Sequence, residues 1–182
     1  MAQLSNTPVI RYSDITHPLL GDAGMVASQN RYASETGARI LEQGGNAVDA
    51  AVAIGFSMAV AYPRAGNLGG GGFMLVYDVE QGNTVAIDYR EMAPVKASRH
   101  MYLDDNGEVD RMKTYFSHLA SGVPGTVAGM WQAHQRYGRL PWDKLLQPAI
   151  DQASEGIVVG YDMAVLLQTQ QERLCRNEAT CK

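Results

Sequence analysis

The chain has 182 residues, of which 46% are hydrophobic and 19% charged, and its formal net charge is −4. This composition is typical of one globular domain with a sizeable core, and it excludes a disordered chain. A net acidic chain has no basic field to attract phosphate backbones or acidic lipids, so we expect neither nucleic acid nor a membrane as partner. The N-terminal stretch has no charged head, apolar run and cleavage site in succession, so we expect no signal peptide in it.

The first predicted elements are a strand and a helix. Residues 24–28 (GMVAS) predict a short strand, and residues 31–43 predict an amphipathic helix. Gly44 and Gly45 follow that helix directly. Glycine adopts the left-handed backbone of a helix C-terminus at little cost, so the pair predicts the end of the helix.

A second helix follows at once and is apolar almost all round. Asn46 and Asp49 have the spacing of an N-terminal capping box, and Pro63 ends the apolar run at residues 47–62. The run is shorter than the roughly 20 residues that a membrane span needs, and it contains Asp49. It therefore predicts a core helix covered on several sides.

Residues 73–78 and 84–89 predict a β-hairpin joined by a turn-rich connector. Alternation places Val85, Ile87 and Tyr89 on one face of the second strand. Arg90 then leaves the strand on the opposite face. Judged from the residues alone, it is expected to form a surface ion pair with its acidic neighbours, which are Asp88 and Glu91.

The rest of the chain predicts one small hairpin or loop and three helices. The predicted segments are a loop at 102–110, a helix at 124–137 with Ser121 as N-cap, a helix at 141–156 broken or bent at Pro148, and a helix at 161–174. The predicted class is therefore mixed α and β, with at least one antiparallel pair of strands.

Generic catalytic and metal-binding motifs are absent from the sequence. The four glycines at 69–72 fit neither the dinucleotide-binding GxGxxG pattern nor a P-loop, so they predict close backbone approach instead of a phosphate cradle. The four histidines lack metal-ligand neighbours; they are His17, His100, His118 and His134. Cys175 and Cys181 have no zinc or redox spacing, and a local disulfide and two free thiols both remain open.

Several longer strings together resemble one family. They are GMVAS at 24–28, ILEQGGNAVDAAVAIGFSMAVAYP at 40–63, AGNLGGGGFMLVY at 65–77, IDYREMAP at 87–94, SHLASGVPGTVAGM at 117–130 and YGRLPWDKLLQPAIDQASEGIVV at 137–159. In order and spacing these strings resemble the N-terminal part of the γ-glutamyltransferases, also called γ-glutamyl transpeptidases.

The resemblance implies an N-terminal-nucleophile hydrolase with an αββα sandwich, of which this chain holds an incomplete N-terminal portion. Such enzymes are precursors that cleave themselves into a large and a small subunit. The new N-terminal threonine of the small subunit attacks a γ-glutamyl amide such as glutathione, and the glutamyl group passes to water or to an amino-acid or peptide acceptor. No metal or organic cofactor is needed, and the implied location is periplasmic or extracellular.

The same resemblance assigns one site residue. The arginine of the family's DxRExAP-type string contacts the α-carboxylate of the donor, and Arg90 occupies that position in IDYREMAP. A guanidinium suits this role because its planar fork donates two parallel hydrogen bonds to a carboxylate. Glu91 is expected to position Arg90 or to cap a neighbour, and Asp88 to be structural.

The chain ends at Lys182, before the family's cleavage site, so we expect no catalytic residue in it and expect it to be inactive alone. Thr16 and His17 lack the context of the nucleophile motif. Residues 1–23 are interpreted as an N-terminal extension and residues 24–182 as a partial large-subunit domain, whose partner is the small subunit. The alternatives are a non-catalytic module that binds a partner or ligand, and a related amide acylase.

Overall fold

The computed structural model describes residues 20–176 and 178–181 and has a mixed helix and strand fold, as predicted. Its elements in chain order are α1 (Arg31–Glu42), α2 (Ala47–Ala61), β1 (Phe73–Asp78), β2 (Asn83–Asp88), α3 (Arg111–Phe116), a 3-10 turn (His118–Ala120), α4 (Thr126–Tyr137), α5 (Trp142–Glu155), α6 (Tyr161–Leu174) and α7 (Glu178–Cys181). None of the helices in these ranges is long and apolar enough to cross a membrane.

Helix α2 lies at the centre of the core, as its all-round apolar sequence predicts. It packs against α1, α4 and α5, and no residue from position 48 to 61 is exposed. Two glycines allow its neighbours to come close. A Cβ atom on Gly37 would collide with the side chain of Ile54, and one on Gly55 would collide with that of Met130.

The two helix ends between α1 and α2 form as predicted. Gly44 has φ +86°, and the N–H groups of Gly44 and Gly45 donate to Leu41 O and Ile40 O at 3.0 and 2.9 Å. This pair of bonds is the Schellman arrangement that closes a helix C-terminus. Asn46 then caps α2, and its own backbone N–H donates to the Asp49 carboxylate at 2.9 Å, which completes the predicted capping box.

Asp49 also connects the loop between α4 and α5 to the start of α2. Its side chain is fully buried and accepts hydrogen bonds from the backbone N–H groups of Arg139, at 3.0 and 3.1 Å, and Leu140, at 3.3 Å. The Asn46 amide donates to Tyr137 O from the same helix end. The loop between α4 and α5 is thereby held against the start of α2, and with it the end of α4.

Strands β1 and β2 form an antiparallel hairpin with Phe73 opposite Asp88 and Asp78 opposite Asn83. One face packs on the helical core through four partly buried or buried side chains, which are Met74, Val76, Val85 and Ile87. The other face is bare within the described residues. Phe73, Leu75 and Tyr77 project from it and are 66%, 74% and 64% exposed. The described residues thus hold one sheet with helices on one side, not a complete αββα sandwich.

Two local predictions are wrong, and one of two alternatives given for a third is excluded. Residues 24–28 form no strand, because within the described residues no other strand pairs with them; Val26 packs on α1 instead. The N-cap of α4 is Gly125, since Ser121 ends the preceding 3-10 turn. Helix α5 was predicted to be broken or bent at Pro148; it is not broken there, and buried residues on both sides hold it against the core. The short helix α3 was not anticipated.

The bare sheet face leads to a prediction about the chain on its own. Adjacent exposed aromatic and aliphatic side chains on a sheet with free edges favour association. We therefore expect the purified chain to enhance the fluorescence of 8-anilinonaphthalene-1-sulfonate and to oligomerise in sedimentation analysis. The double variant Leu75→Thr, Tyr77→Thr should lose most of the dye signal.

Val95→Thr is the matched control for this experiment. Val95 is fully exposed but lies outside the sheet face, so its replacement should leave the dye signal unchanged. A monomeric parent chain that melts sharply and does not bind the dye would contradict the prediction.

Candidate substrate-binding site

Arg90 lies two residues after Asp88, the last residue of β2, and between two pairs of backbone hydrogen-bonding partners. Before it, Tyr89 N–H donates to Gly72 O at 3.0 Å; after it, Met92 and Val123 exchange hydrogen bonds of 3.2 and 2.8 Å. An open pocket of about 530 Å³ lies at this position. It is lined by the segment from Asp88 to Met92 and by the first turns of α4 with the residues before them. The backbone that carries Arg90 is therefore anchored on both sides.

The glycine-rich segment at residues 66–72, called the glycine run below, packs closely against this backbone. A Cβ atom on Gly71 would lie 2.5 Å from Tyr89 O and 2.6 Å from the Arg90 Cα. Gly70 O accepts hydrogen bonds from the N–H groups of Gly125 and Thr126 at 2.8 and 3.1 Å, which joins the run to the start of α4. The run therefore serves close approach, as predicted.

Asn67 holds the start of the run in place, a role that was not anticipated. Its Oδ1 accepts a hydrogen bond from Gly70 N–H at 2.7 Å and another from the Thr126 hydroxyl at 3.3 Å. The sequence carries no signal for this role, because Thr126 lies 59 residues further along the chain. The Gly70 amide is thus already satisfied and is not available for an anion.

The Tyr89 ring occupies a cradle made by glycines. A Cβ on Gly72 would lie 2.9 Å from the ring, and one on Gly129 of α4 would overlap its base. Gly125 leaves room for the Tyr89 carbonyl in the same way. Burial raises the pKa of the Tyr89 phenol above its ordinary value of 10.0. Because neighbouring side chains on a strand point to opposite faces, a clamped Tyr89 directs Arg90 away from the core.

The Arg90 side chain is exposed at the pocket and forms no ion pair within the described residues. The ion pair expected from the residues alone is therefore absent from this part of the chain. Asp88 bonds the Arg90 backbone instead, through its Oδ1 at 3.0 Å from the backbone nitrogen. The Glu91 side chain lies beside Gly122 and forms no hydrogen bond with Arg90 in the described structure. The guanidinium keeps all its donors free for a ligand.

The remaining candidates do not join this site. His100 and His118 are exposed, and the His134 ring packs on Trp131 and Trp142 with its Nε2 2.7 Å from Leu140 O. No cluster of potential metal ligands occurs within the described ranges. Cys175 and Cys181 form a disulfide, which decides between the two open alternatives. Thr16 and His17 lie outside the described residues.

Comparison with known proteins gives consistent results. The family model described as gamma-glutamyltranspeptidase matches residues 33–182. The chain is 51% identical over 169 residues to the glutathione hydrolase proenzyme of Escherichia coli (strain K12), which covers 93% of this chain and 29% of that protein. Helicobacter pylori γ-glutamyltranspeptidase matches in structure with a TM-score of 0.86 and 43% identity, over 90% of this chain and 47% of that one. The Pseudomonas nitroreducens γ-glutamyltranspeptidase complexed with L-DON matches with a TM-score of 0.79 and 47% identity, over 84% of this chain and 45% of that one.

The fold and its matches define part of an N-terminal-nucleophile hydrolase. More specifically, the chain belongs to the γ-glutamyltranspeptidase family, which confirms the resemblance found in the sequence strings. It spans less than a third of the length of the curated relatives: 29% of the Escherichia coli proenzyme and 24% of the glutathione hydrolase proenzyme of Pseudomonas aeruginosa, to which it is 54% identical over 138 residues.

The packing of the glycine run yields a paired prediction. Gly71→Ala should destabilise the chain by about 1–3 kcal/mol, because the new methyl group meets backbone atoms that cannot rotate away. Gly69→Ala should change the free energy of unfolding by less than about 0.5 kcal/mol, since nothing lies within 4 Å of that position.

Urea unfolding of both variants, followed by far-UV circular dichroism, measures the difference. Both glycines belong to the same run and neither has a positive φ, so backbone strain does not separate them. Equal unfolding midpoints for the two variants would show that Gly71 is not held tightly against Arg90.

Proposed function

We propose that this chain is the donor-binding part of a γ-glutamyltransferase and glutathione hydrolase. The observation that carries the proposal is Arg90, whose guanidinium has no ion pair among the described residues and lies at an open pocket on a backbone anchored at both ends. In the proposed role, the guanidinium fork binds the α-carboxylate of a γ-glutamyl donor. Two parallel charge-assisted hydrogen bonds then fix the orientation of the glutamyl group as well as adding affinity.

The proposed chemistry takes place on a group outside this chain. A threonine at the new N-terminus of the small subunit attacks the γ-glutamyl amide, and its own α-amine accepts the hydroxyl proton. The amide C–N bond breaks, the leaving amine takes up a proton, and a glutamyl ester forms. Water or the amine of an amino acid or peptide then attacks the ester and releases the threonine. Arg90 holds the glutamyl group in place through both steps.

The architecture is proposed along the same lines. The bare face of the β1–β2 hairpin suits the inner face of an αββα sandwich, whose second sheet would cover Phe73, Leu75 and Tyr77. The small subunit is the proposed source of that cover. We also propose that residues 24–182 form part of the large-subunit domain, that residues 1–23 precede it as an extension, and that the protein acts in the periplasm or outside the cell.

Arg90→Ala tests the proposed binding role in the complete, processed enzyme. Loss of the charge-assisted contact should lower kcat/KM for a γ-glutamyl anilide by about thirty- to a thousand-fold, or roughly 2–4 kcal/mol. Arg90→Lys should recover only part of the loss, because it restores the charge without the fork.

Arg64→Ala is the control, since Arg64 is exposed, outside the pocket and without an ion pair in the described structure. It should leave kcat/KM within about twofold of the parent value. Normal kcat/KM for Arg90→Ala, with Arg64→Ala also normal, would remove Arg90 from the donor site.

A second experiment separates this proposal from a non-catalytic module. We expect the 182-residue chain alone to release no anilide from a γ-glutamyl anilide, and we expect activity when the same residues are part of the full-length precursor. Autocleavage of the precursor is monitored by gel electrophoresis. Hydrolysis by the chain alone would contradict the assignment of the nucleophile, and an uncleaved, inactive precursor would favour the non-catalytic module.

A further inference from the structure

Asp88 ends β2 and closes the turn that presents Arg90. Its Oδ1 accepts the Arg90 backbone N–H at 3.0 Å, two residues along the chain, which is the geometry of an Asx turn. The carboxylate lines the same pocket as Arg90 but forms no ion pair with the guanidinium in the described structure. Its contact is with the backbone of Arg90, not with the side chain.

This bond anchors the Arg90 N–H, for which the neighbouring backbone supplies no partner in the described structure. Tyr89 N–H is satisfied by Gly72 O, and Met92 N–H by Val123 O, so the chain is fixed just before and just after Arg90. The Arg90 N–H lies between them, where the strand has ended, and its partner is Asp88. Without that partner, the peptide unit between Tyr89 and Arg90 would be held only at its carbonyl, which packs against Gly71 and Gly125. The long side chain would amplify any small rotation of this unit at the guanidinium.

We propose that Asp88 is a positioning residue for donor recognition, and that it acts through a hydrogen-bond-accepting oxygen and not through its charge. This inference rests on the proposed function of Arg90. It predicts that the amide oxygen of an asparagine can replace the carboxylate, because both accept the same backbone N–H and both favour this turn. A role in binding the donor's ammonium group, or in neutralising Arg90, would instead need the negative charge.

The test uses three variants of the complete, processed enzyme and a γ-glutamyl anilide as donor. Asp88→Ala should raise KM by about threefold to tenfold with a smaller change in kcat, the range expected for one lost hydrogen bond. Asp88→Asn should recover most of that loss. Asp88→Ser should fall between them, because a hydroxyl closes the turn more weakly. The amount of cleaved enzyme and its melting temperature are measured for each, so that a folding defect is seen separately.

A double-mutant cycle shows whether Asp88 acts through Arg90. In an Arg90→Ala background, Asp88→Ala should change KM by less than about twofold, because there is no guanidinium left to position. An equal loss in Asp88→Asn and Asp88→Ala would overturn the inference in favour of a charge effect. If Asp88→Ala raises KM in the Arg90→Ala background as much as it does in the parent, Asp88 acts independently of Arg90 and the inference is overturned.

Failure of the proposed function gives a different result. In that case Arg90→Ala alone leaves kcat/KM unchanged, whatever the Asp88 variants do. If Asp88→Ala yields no cleaved enzyme, Asp88→Asn still decides, because asparagine keeps the accepting oxygen and lacks the charge. A KM raised about threefold or more in Asp88→Asn would then contradict the inference.

Discussion

The close contact between Gly71 and the Tyr89–Arg90 backbone is the constraint on which the candidate site depends. No side-chain atom fits between the two segments, so the glycine run and the end of β2 behave as one packed unit. The start of α4 joins the same unit through the bonds to Gly70 O and through the space that Gly125 leaves for the Tyr89 carbonyl. Glycines thus allow three segments that are distant in the sequence to pack closely and to form hydrogen bonds with one another.

The position of α4 in this unit depends in turn on Asp49. A buried carboxylate is costly unless hydrogen bonds compensate for the lost water, and here the bonds come from the cap of α2 and from the loop after α4. Asp49 therefore has two structural roles, and the capping-box motif in the sequence indicates only the first. It completes the capping box locally, and it fixes the C-terminal end of α4 from more than eighty residues away. The other end of α4 carries Gly125 and borders the pocket.

The sequence predicted those features of the fold that local chemistry determines. The Gly44-Gly45 stop, the capping box at Asn46 and the exit of Arg90 on the open side all follow from glycine conformations, cap preferences and strand alternation. The strand predicted at 24–28 does not form, because a strand needs a hydrogen-bonding partner and residue pattern alone does not reveal whether one is present. Pro148 remains inside α5 because core packing on both sides of it outweighs a local preference.

For the site, the sequence pointed to Arg90 through its resemblance to a family and through the chemistry of a guanidinium, but it did not show how the residue is held. Asp88 looked like a partner for the arginine's charge, whereas its carboxylate is bonded to the backbone. Asn67 carried no catalytic signal at all. Both roles depend on where backbone N–H groups end up after folding, and a sequence pattern of side chains does not contain that information.

The lack of an ion pair at Arg90 within the described residues suits the anion-binding role proposed for it. A guanidinium already paired with Asp88 or Glu91 would have to give up that partner before it could bind a carboxylate, and the cost would subtract from affinity. Engaging Asp88 with a backbone N–H removes this competition while keeping the acid near the site. Hydrogen bonds at the backbone N–H groups of Tyr89, Arg90 and Met92 hold this segment, so less conformational entropy would be lost on binding than with a flexible loop. Rigidity of the main chain and freedom of the side chain are thus supplied by the same short segment.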